Sequence, residues 1–198
     1  MPLGDCLAGG YFMAMWIIIG VILLVVVAII GLYNRLVGLR QLVKEGFSGI
    51  TVQLRRRADL IPNLVETVKG YAAHERETFD AITKARGAMS GASGVAATAA
   101  ADAQMTGLIG RLFAVAEAYP QLRASENFQQ LQGQLTEIEG ELQSARRYYN
   151  ATARDLNTAI ATFPAVLIAG PMGFKEEPYY EDADPAIQSA PKVDFNPA

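Results

Sequence analysis

Apolar positions along this chain form one stretch with no polar rhythm, followed by a series of stripes at helical spacing. No charged side chain occurs between Asp5 and Arg35, a run of about 29 residues where roughly 20 apolar residues suffice to cross a hydrocarbon core. Its apolar body extends from Tyr11 to Leu32, and its centre, Ile17 to Ile30, is Ile, Val and Leu interrupted by Gly20 and Ala28. So much β-branching weakens a helix in water, but lipid forces the backbone to pair internally and tolerates it. Tyr11, Phe12 and Trp16 cluster at one end and Tyr33 follows the other, as at the two faces of a bilayer. The run predicts a transmembrane helix.

Beyond it, Leu32, Leu36, Leu39, Val43, Phe47, Ile50 and Leu54 recur at steps of three and four. That spacing makes one stripe and predicts that the membrane helix continues into a helical domain. Asp59-Leu60-Ile61-Pro62-Asn63 predicts a break, with Pro62 in the first turn of a second helix ending near Arg86. Gly87 to Ala101 is Gly, Ala, Ser and Thr almost throughout and reads as a flexible connection. A third helix carries Met105, Leu108, Leu112, Val115 and Tyr119 and stops at Pro120. The fourth and longest spans about Ser125 to Thr162, with Ser125 as its N-cap. Its stripe, Phe128, Leu131, Leu135, Ile138, Leu142, Ala145, Tyr149, Leu156 and Ile160, approaches the coiled-coil period.

Phe163 to Phe174 is apolar but broken by two prolines and two glycines, so it is not a second span. The residues from Lys175 onward are proline-punctuated and acidic, a composition that predicts disorder. The chain divides accordingly into a short N-terminal segment (1–10), a transmembrane helix (11–32), a helical bundle (33–163) and a proline-containing segment with an acidic tail (164–198).

Composition sharpens this picture at three points. The 198 residues are 51% hydrophobic and 19% charged, apolar for a chain that meets only water. Net charge is −3, so a nucleic-acid partner is not expected. The single cysteine, Cys6, precedes the apolar run, which argues against a lipid-modified cysteine, and Asp5 stands where a cleavable signal would carry basic residues. The span is expected to stay as an anchor. Arg35, Arg40 and Lys44 follow it, and the positive-inside rule then places the N-terminus outside and the bundle in the cytoplasm of a bacterial inner membrane. Arg55, Arg56 and Arg57 lie roughly 36 Å further along a straight helix and read as a solvated or salt-bridged face.

The motifs on these helices resemble the LemA family. They are YNRLV at Tyr33–Val37, LRRRADLIPNLVETVKGY at Leu54–Tyr71, AAHERET at Ala72–Thr78, GRLFAVAEAYPQLRASENFQQLQ at Gly110–Gln132, ARRYYN at Ala145–Asn150, NTAIATFP at Asn157–Pro164 and GFKEEPYYE at Gly173–Glu181. The resemblance implies a membrane-anchored, antiparallel four-helix, all-α domain without assigned enzymatic activity. Relatives act in magnetosome membrane biogenesis, which implies a role in membrane organisation. The chain departs from the family at Gly46 and Phe47, where Ala and Trp are expected.

Reactive constellations are sparse. His74 is the only histidine and has no second histidine four residues on, so a surface or capping role is expected. Glu137, Glu139 and Glu141 alternate along the fourth helix and read as solvated charge. No GxSxG, P-loop or dinucleotide fingerprint occurs. The Asn150-Ala151-Thr152 sequon falls within a helix, and Tyr148, Tyr149, Tyr179 and Tyr180 read as packing and tail residues, the last two also as a docking motif. No catalytic, cofactor-binding or metal-binding residues are assigned, and neither a cofactor nor a small-molecule substrate is expected. The expected partners are the lipid bilayer, further copies of the chain and other membrane proteins. The expected role is an anchored scaffold or, alternatively, direct lipid contact through Phe163 to Phe174.

Overall fold

The computed structural model describes residues 4–72 and 74–181, with side chains from residue 15 onward. The side chains of Cys6, Tyr11 and Phe12 and the acidic residues after Glu181 lie outside the described residues. Six helices and no strand occur among the described residues: α1 (Gly4–Lys69), α2 (Arg76–Gly91), α3 (Val95–Glu117), α4 (Pro120–Arg123), α5 (Glu126–Ala161) and α6 (Val166–Ala169).

α1 is continuous over 66 residues, with Pro62 inside it. The break predicted at residues 59–63 is therefore absent, and the second helix begins at Arg76 rather than near Pro62. The reason lies in the stripe, which does not end at Leu54: Arg57, Ile61, Leu64 and Val68 extend it and are all buried. Proline costs a helix interior about 3 kcal/mol, and burying three large aliphatic side chains at roughly 1.5–3 kcal/mol each outweighs that. α1 ends at Lys69, after which the amides of Tyr71 and Ala72 both turn back to the Val68 carbonyl.

The stretch read as flexible is also helical. Alanine is the best helix former; α2 carries Gly87 inside it, and Gly91 and Gly94 fall at the break between α2 and α3. α2 closes at Gly91, and Gly94 opens α3 at φ 79°, a conformation open to glycine. Pro120 does not end α3, which stops at Glu117; it occupies the first turn of the short α4. α5 follows the expected course, with Ser125 Oγ accepting the Phe128 amide at 3.3 Å as its cap.

The chain forms two compact units. One comprises Met1–Leu42 with Asp155–Glu177, the other Val43–Arg154 with Pro178–Ala198. In the second, one apolar core draws on α1 (Ile61, Leu64, Val68), α2 (Phe79, Ile82), α3 (Met105, Leu112) and α5 (Phe128, Leu135). Along α1 and α5 of this unit, Gly46 lies opposite Tyr149, Gly49 opposite Ala145 and Arg56 opposite Glu141.

Gly46 stands where α1 and α5 of this unit approach closely. A Cβ there would sit 3.0 Å from Tyr149 Cα and 3.3 Å from Thr152 Oγ1, and backbone cannot step aside as a side chain can. The neighbouring Phe47 ring lies 6.0 Å from that of Tyr149. Gly46→Leu is expected to cost about 1–3 kcal/mol by overpacking. Gly38→Ala, where a Cβ meets open space, is expected to gain up to about 1 kcal/mol of helix propensity. Thermal melting of the two variants in detergent checks the pair, and equal midpoints would refute the close approach.

Candidate functional site

The strongest concentration of buried charge is in the second unit, around Asp102 of α3, which is 1% exposed. Arg57 of α1, also buried, donates to Asp102 Oδ1 at 3.2 Å and to Thr106 Oγ1 at 3.1 Å. It also pairs with Glu139 of α5 at 3.2 Å. Arg146, two turns further along α5, pairs with Asp102 Oδ2 and lies 3.7 Å from Glu139. The Tyr180 hydroxyl donates to Asp102 Oδ2 at 2.8 Å, and the Arg146 guanidinium stands 5.4 Å from the Tyr180 ring.

Two carboxylates thus face two guanidiniums, and the charges balance. Burial pushes the Tyr180 phenol well above its usual range, and the adjacent Asp102 carboxylate raises it further, so the hydroxyl stays a proton donor. For Arg146, burial works against the charge, but the charge and hydrogen bond of Asp102, helped by Tyr180 and Glu139, outweigh it and raise its pKa. Asp102 spends both oxygens on its own chain. The arrangement is a clasp that ties α1, α3 and α5 to the segment after α6.

That segment departs from the sequence expectation, since residues 175–181 are ordered rather than loose. In the second unit, Asn150 grips the Tyr180 backbone twice, its Nδ2 donating to the Tyr180 carbonyl at 3.0 Å and its Oδ1 accepting the Tyr180 amide at 2.8 Å. Tyr149, fully buried, donates its hydroxyl to the Pro178 carbonyl at 2.7 Å. In the first unit, Asn157 holds Glu177 by the same two-point grip at 2.9 and 2.8 Å. The Asn150 amide of the sequon is therefore spent on the main chain.

Other expected positions fall as follows. Arg55 is exposed and Arg56 forms a surface pair with Glu141 at 2.7 Å, whereas Arg57 is buried, not solvated. Glu139 turns inward to the clasp, contrary to the solvated reading, while Glu137 is exposed. His74 is exposed in the turn before α2. Tyr148 and Tyr179 are exposed, and Tyr180 is buried, which excludes it from an exposed docking pair. Among the described residues no group of three or more His, Cys, Asp or Glu is placed to share a metal ion. A surface groove of about 710 Å³ along α2 and α3 carries both signs of charge (Glu77, Asp80, Lys84, Arg111) and no convergent set of polar groups.

The second distinctive surface is apolar and belongs to the first unit. Every large side chain from Met15 to Val27 is between 46% and 69% exposed, so no face of α1 is covered there. A core helix of a soluble protein hides at least one face; a helix apolar all round with none hidden suits lipid. In the same unit, Phe163, Val166 and Leu167 are exposed around α6 while Ala165, Ala169 and Phe174 are buried. Gly173, at φ 78°, turns the chain so that the Phe174 amide reaches the Ala169 carbonyl at 2.9 Å. The Phe174 ring then meets Tyr33 edge-on at 5.7 Å, with the Arg40 guanidinium 4.9 Å from its centre.

These features define a class: an all-helical chain, among the described residues, with one helix long and apolar enough to cross a membrane and a buried ionic clasp. The sequence pattern of the LemA family aligns with residues 46–195. The chain belongs to the LemA family. It is similar to the magnetosome protein MamQ of Magnetospirillum gryphiswaldense, 26% identical over 176 residues that cover 76% of this chain and 65% of that protein. MamQ 2 of Paramagnetospirillum magneticum gives the same values. Protein LemA of Metamycoplasma hominis is 28% identical over 136 residues, 68% of this chain and 62% of that protein. The chain thus spans less than two thirds of the length of these relatives.

Proposed function

We propose that this protein is a membrane-anchored helical scaffold, without catalytic activity, that assembles with further copies of itself or with other membrane proteins. The observation that carries the reading is on α1. Its turns from Met15 to Val27 expose apolar side chains on every side, while its later turns bury a single stripe from Leu36 to Val68. The same helix thereby carries both a lipid-facing anchor and a face that packs in water. We read α1, α2, α3 and α5 as an antiparallel four-helix bundle, supported by pairings in which α5 numbers fall as α1 numbers rise: Gly46 with Tyr149, Gly49 with Ala145, Arg56 with Glu141. Arg35, Arg40 and Lys44 after the span favour a cytoplasmic bundle and an outside N-terminus in a bacterial inner membrane. Relatives named for the magnetosome favour membrane organisation as the process served.

One preparation tests both topology and assembly. Cys6 is the only cysteine, so a membrane-impermeant maleimide applied to intact spheroplasts is expected to label it. Labelling only after lysis would overturn the orientation. Mass photometry of the same chain in mild detergent is expected to show species larger than one copy, and monomer alone with no co-purifying membrane protein would overturn the scaffold.

A further inference from the structure

We propose that the segment from Phe163 to Met172 is a second membrane contact, an apolar knuckle seated in the interfacial layer of the bilayer at the level where α1 leaves it. The proposal rests on the anchored reading of α1 and adds a lipid-binding site to it.

Four observations converge. The chain carries no charged side chain between Asp155 and Lys175, so nothing on the segment resists partial dehydration. Its side chains sort by face: Ala165, Ala169 and Phe174 turn inward, at most 6% exposed, while Phe163 is 75% and Leu167 67% exposed. Between Phe163 and Met172 the buried side chains are the two alanines while Phe163, Val166 and Leu167 face out, which inverts the pattern of a surface turn in water and suits a segment whose outer surroundings are themselves apolar.

The third observation concerns the backbone. The amides of Val166, Leu167, Ile168 and Ala169, and then of Met172, Gly173 and Phe174, all donate within the segment or to Thr162. A turn exposed to water can leave amides to solvent, but one entering a low-dielectric layer must pair them internally. The fourth fixes the depth. Phe174 packs on Tyr33, the residue after the apolar body of α1, and under Arg40 about two turns on. Within this compact unit the knuckle is thus held beside the end of the span, where aromatic rings and arginines meet headgroups.

Charge plays a minor part in the contact. Lys175 follows the knuckle, but Glu176 and Glu177 follow Lys175, so the segment has no net attraction for anionic lipid. Insertion is apolar, and α1 tethers the knuckle at high local concentration, so a small surface suffices. A span alone leaves a protein free to spin about its axis; a second contact beside it sets one orientation.

The test uses the full chain in phosphatidylcholine–phosphatidylglycerol vesicles, with acyl chains either plain or brominated near the headgroup. Trp16 is the native reporter of the span. Leu167→Trp and Phe163→Trp, each combined with Trp16→Phe, report the knuckle, and Val52→Trp in the same background, roughly 30 Å beyond Leu32 on α1, is the aqueous control. Both knuckle tryptophans are expected to emit at shorter wavelength than the control and to lose most of their intensity in brominated vesicles, in low and in molar salt alike. Control-like emission without quenching overturns the proposal. Blue-shifted emission without quenching also overturns it and assigns the surface to a second copy of the chain, and quenching abolished by salt overturns the apolar mode. Quenched Trp16 beside unquenched knuckle positions sinks this inference alone, whereas unquenched Trp16 sinks the anchored reading itself.

Discussion

Asp102→Ala is expected to destabilise the second unit by about 3 kcal/mol, near the lower end of the range for breaking a buried ion pair. Wild-type Asp102 pairs with two guanidiniums and accepts from a phenol, and without it Arg57, 6% exposed, keeps Glu139 as its one charged partner in the clasp. Glu139 remains, at 3.2 Å from Arg57 and 3.7 Å from Arg146, which keeps the loss from the upper end. The Tyr180 hydroxyl loses its acceptor as well, so the grip on residues 178–180 weakens together with the core. For a chain of this size the thermal midpoint in detergent should fall by on the order of 10 °C.

Two further variants separate the cause from lost packing. Adding Arg57→Met to Asp102→Ala should recover part of the midpoint, because it removes the cation left without its main partner. Arg56→Ala breaks only the pair with Glu141, whose side chains are 52% and 40% exposed, and should shift stability by under about 1 kcal/mol. If Asp102→Ala melts like wild type, or if Arg57→Met worsens it, the clasp does not hold the unit together.

How much of this was legible in the sequence depended on whether a feature was local. The stripes of α1 and α5 are local periodicities, and the structure buries them largely as read: Leu36, Val43, Ile50 and Leu54 on one, Phe128, Leu135, Ile138, Leu142 and Tyr149 on the other. Pro62 signals a break by local propensity, and the burial of Ile61 and Leu64 on either side of it overrides that signal. The alanine-rich stretch from Gly87 to Ala101 departs in the opposite sense: low complexity suggests looseness, yet alanine favours helix, and Thr98 and Ala101 find neighbours to bury against.

The clasp was hidden for a different reason. Asp102 and Tyr180 are 78 residues apart, and no spacing rule joins them. One trace was present, because Asp102 is the sole charged residue between Arg86 and Arg111, and an isolated carboxylate in an apolar, alanine-rich stretch needs a cation from elsewhere. The ordered segment at 175–181 was hidden likewise. Its composition is that of a solvated tail, but Asn150 and Asn157, seven residues apart and so on one face of α5, each satisfy a backbone amide and carbonyl of that segment.

Val21→Arg combined with Leu24→Arg is expected to release the chain from the membrane, while either change alone leaves it there. The stretch Ile17 to Ile30 holds about 12 Ile, Leu and Val residues, each contributing roughly −0.3 to −0.6 kcal/mol to insertion, some −5 kcal/mol together. An arginine near the centre costs about 2.5–3.5 kcal/mol and also removes one favourable residue, so one leaves the sum negative and two turn it positive. Fractionation followed by an alkaline carbonate wash reads the result: wild type and both single variants stay in the pellet, and the double variant appears in the supernatant. The same two arginines at Leu42 and Val52, exposed positions beyond the span, should change nothing, which separates the cost of burying charge in lipid from a general effect of added charge. The knuckle bears on the outcome too. A few interfacial side chains give reversible adhesion of the kind such a wash removes, so Phe163 and Leu167 cannot replace the anchor. A double variant that survives the wash in the pellet would show that residues other than the α1 run hold this chain to the bilayer.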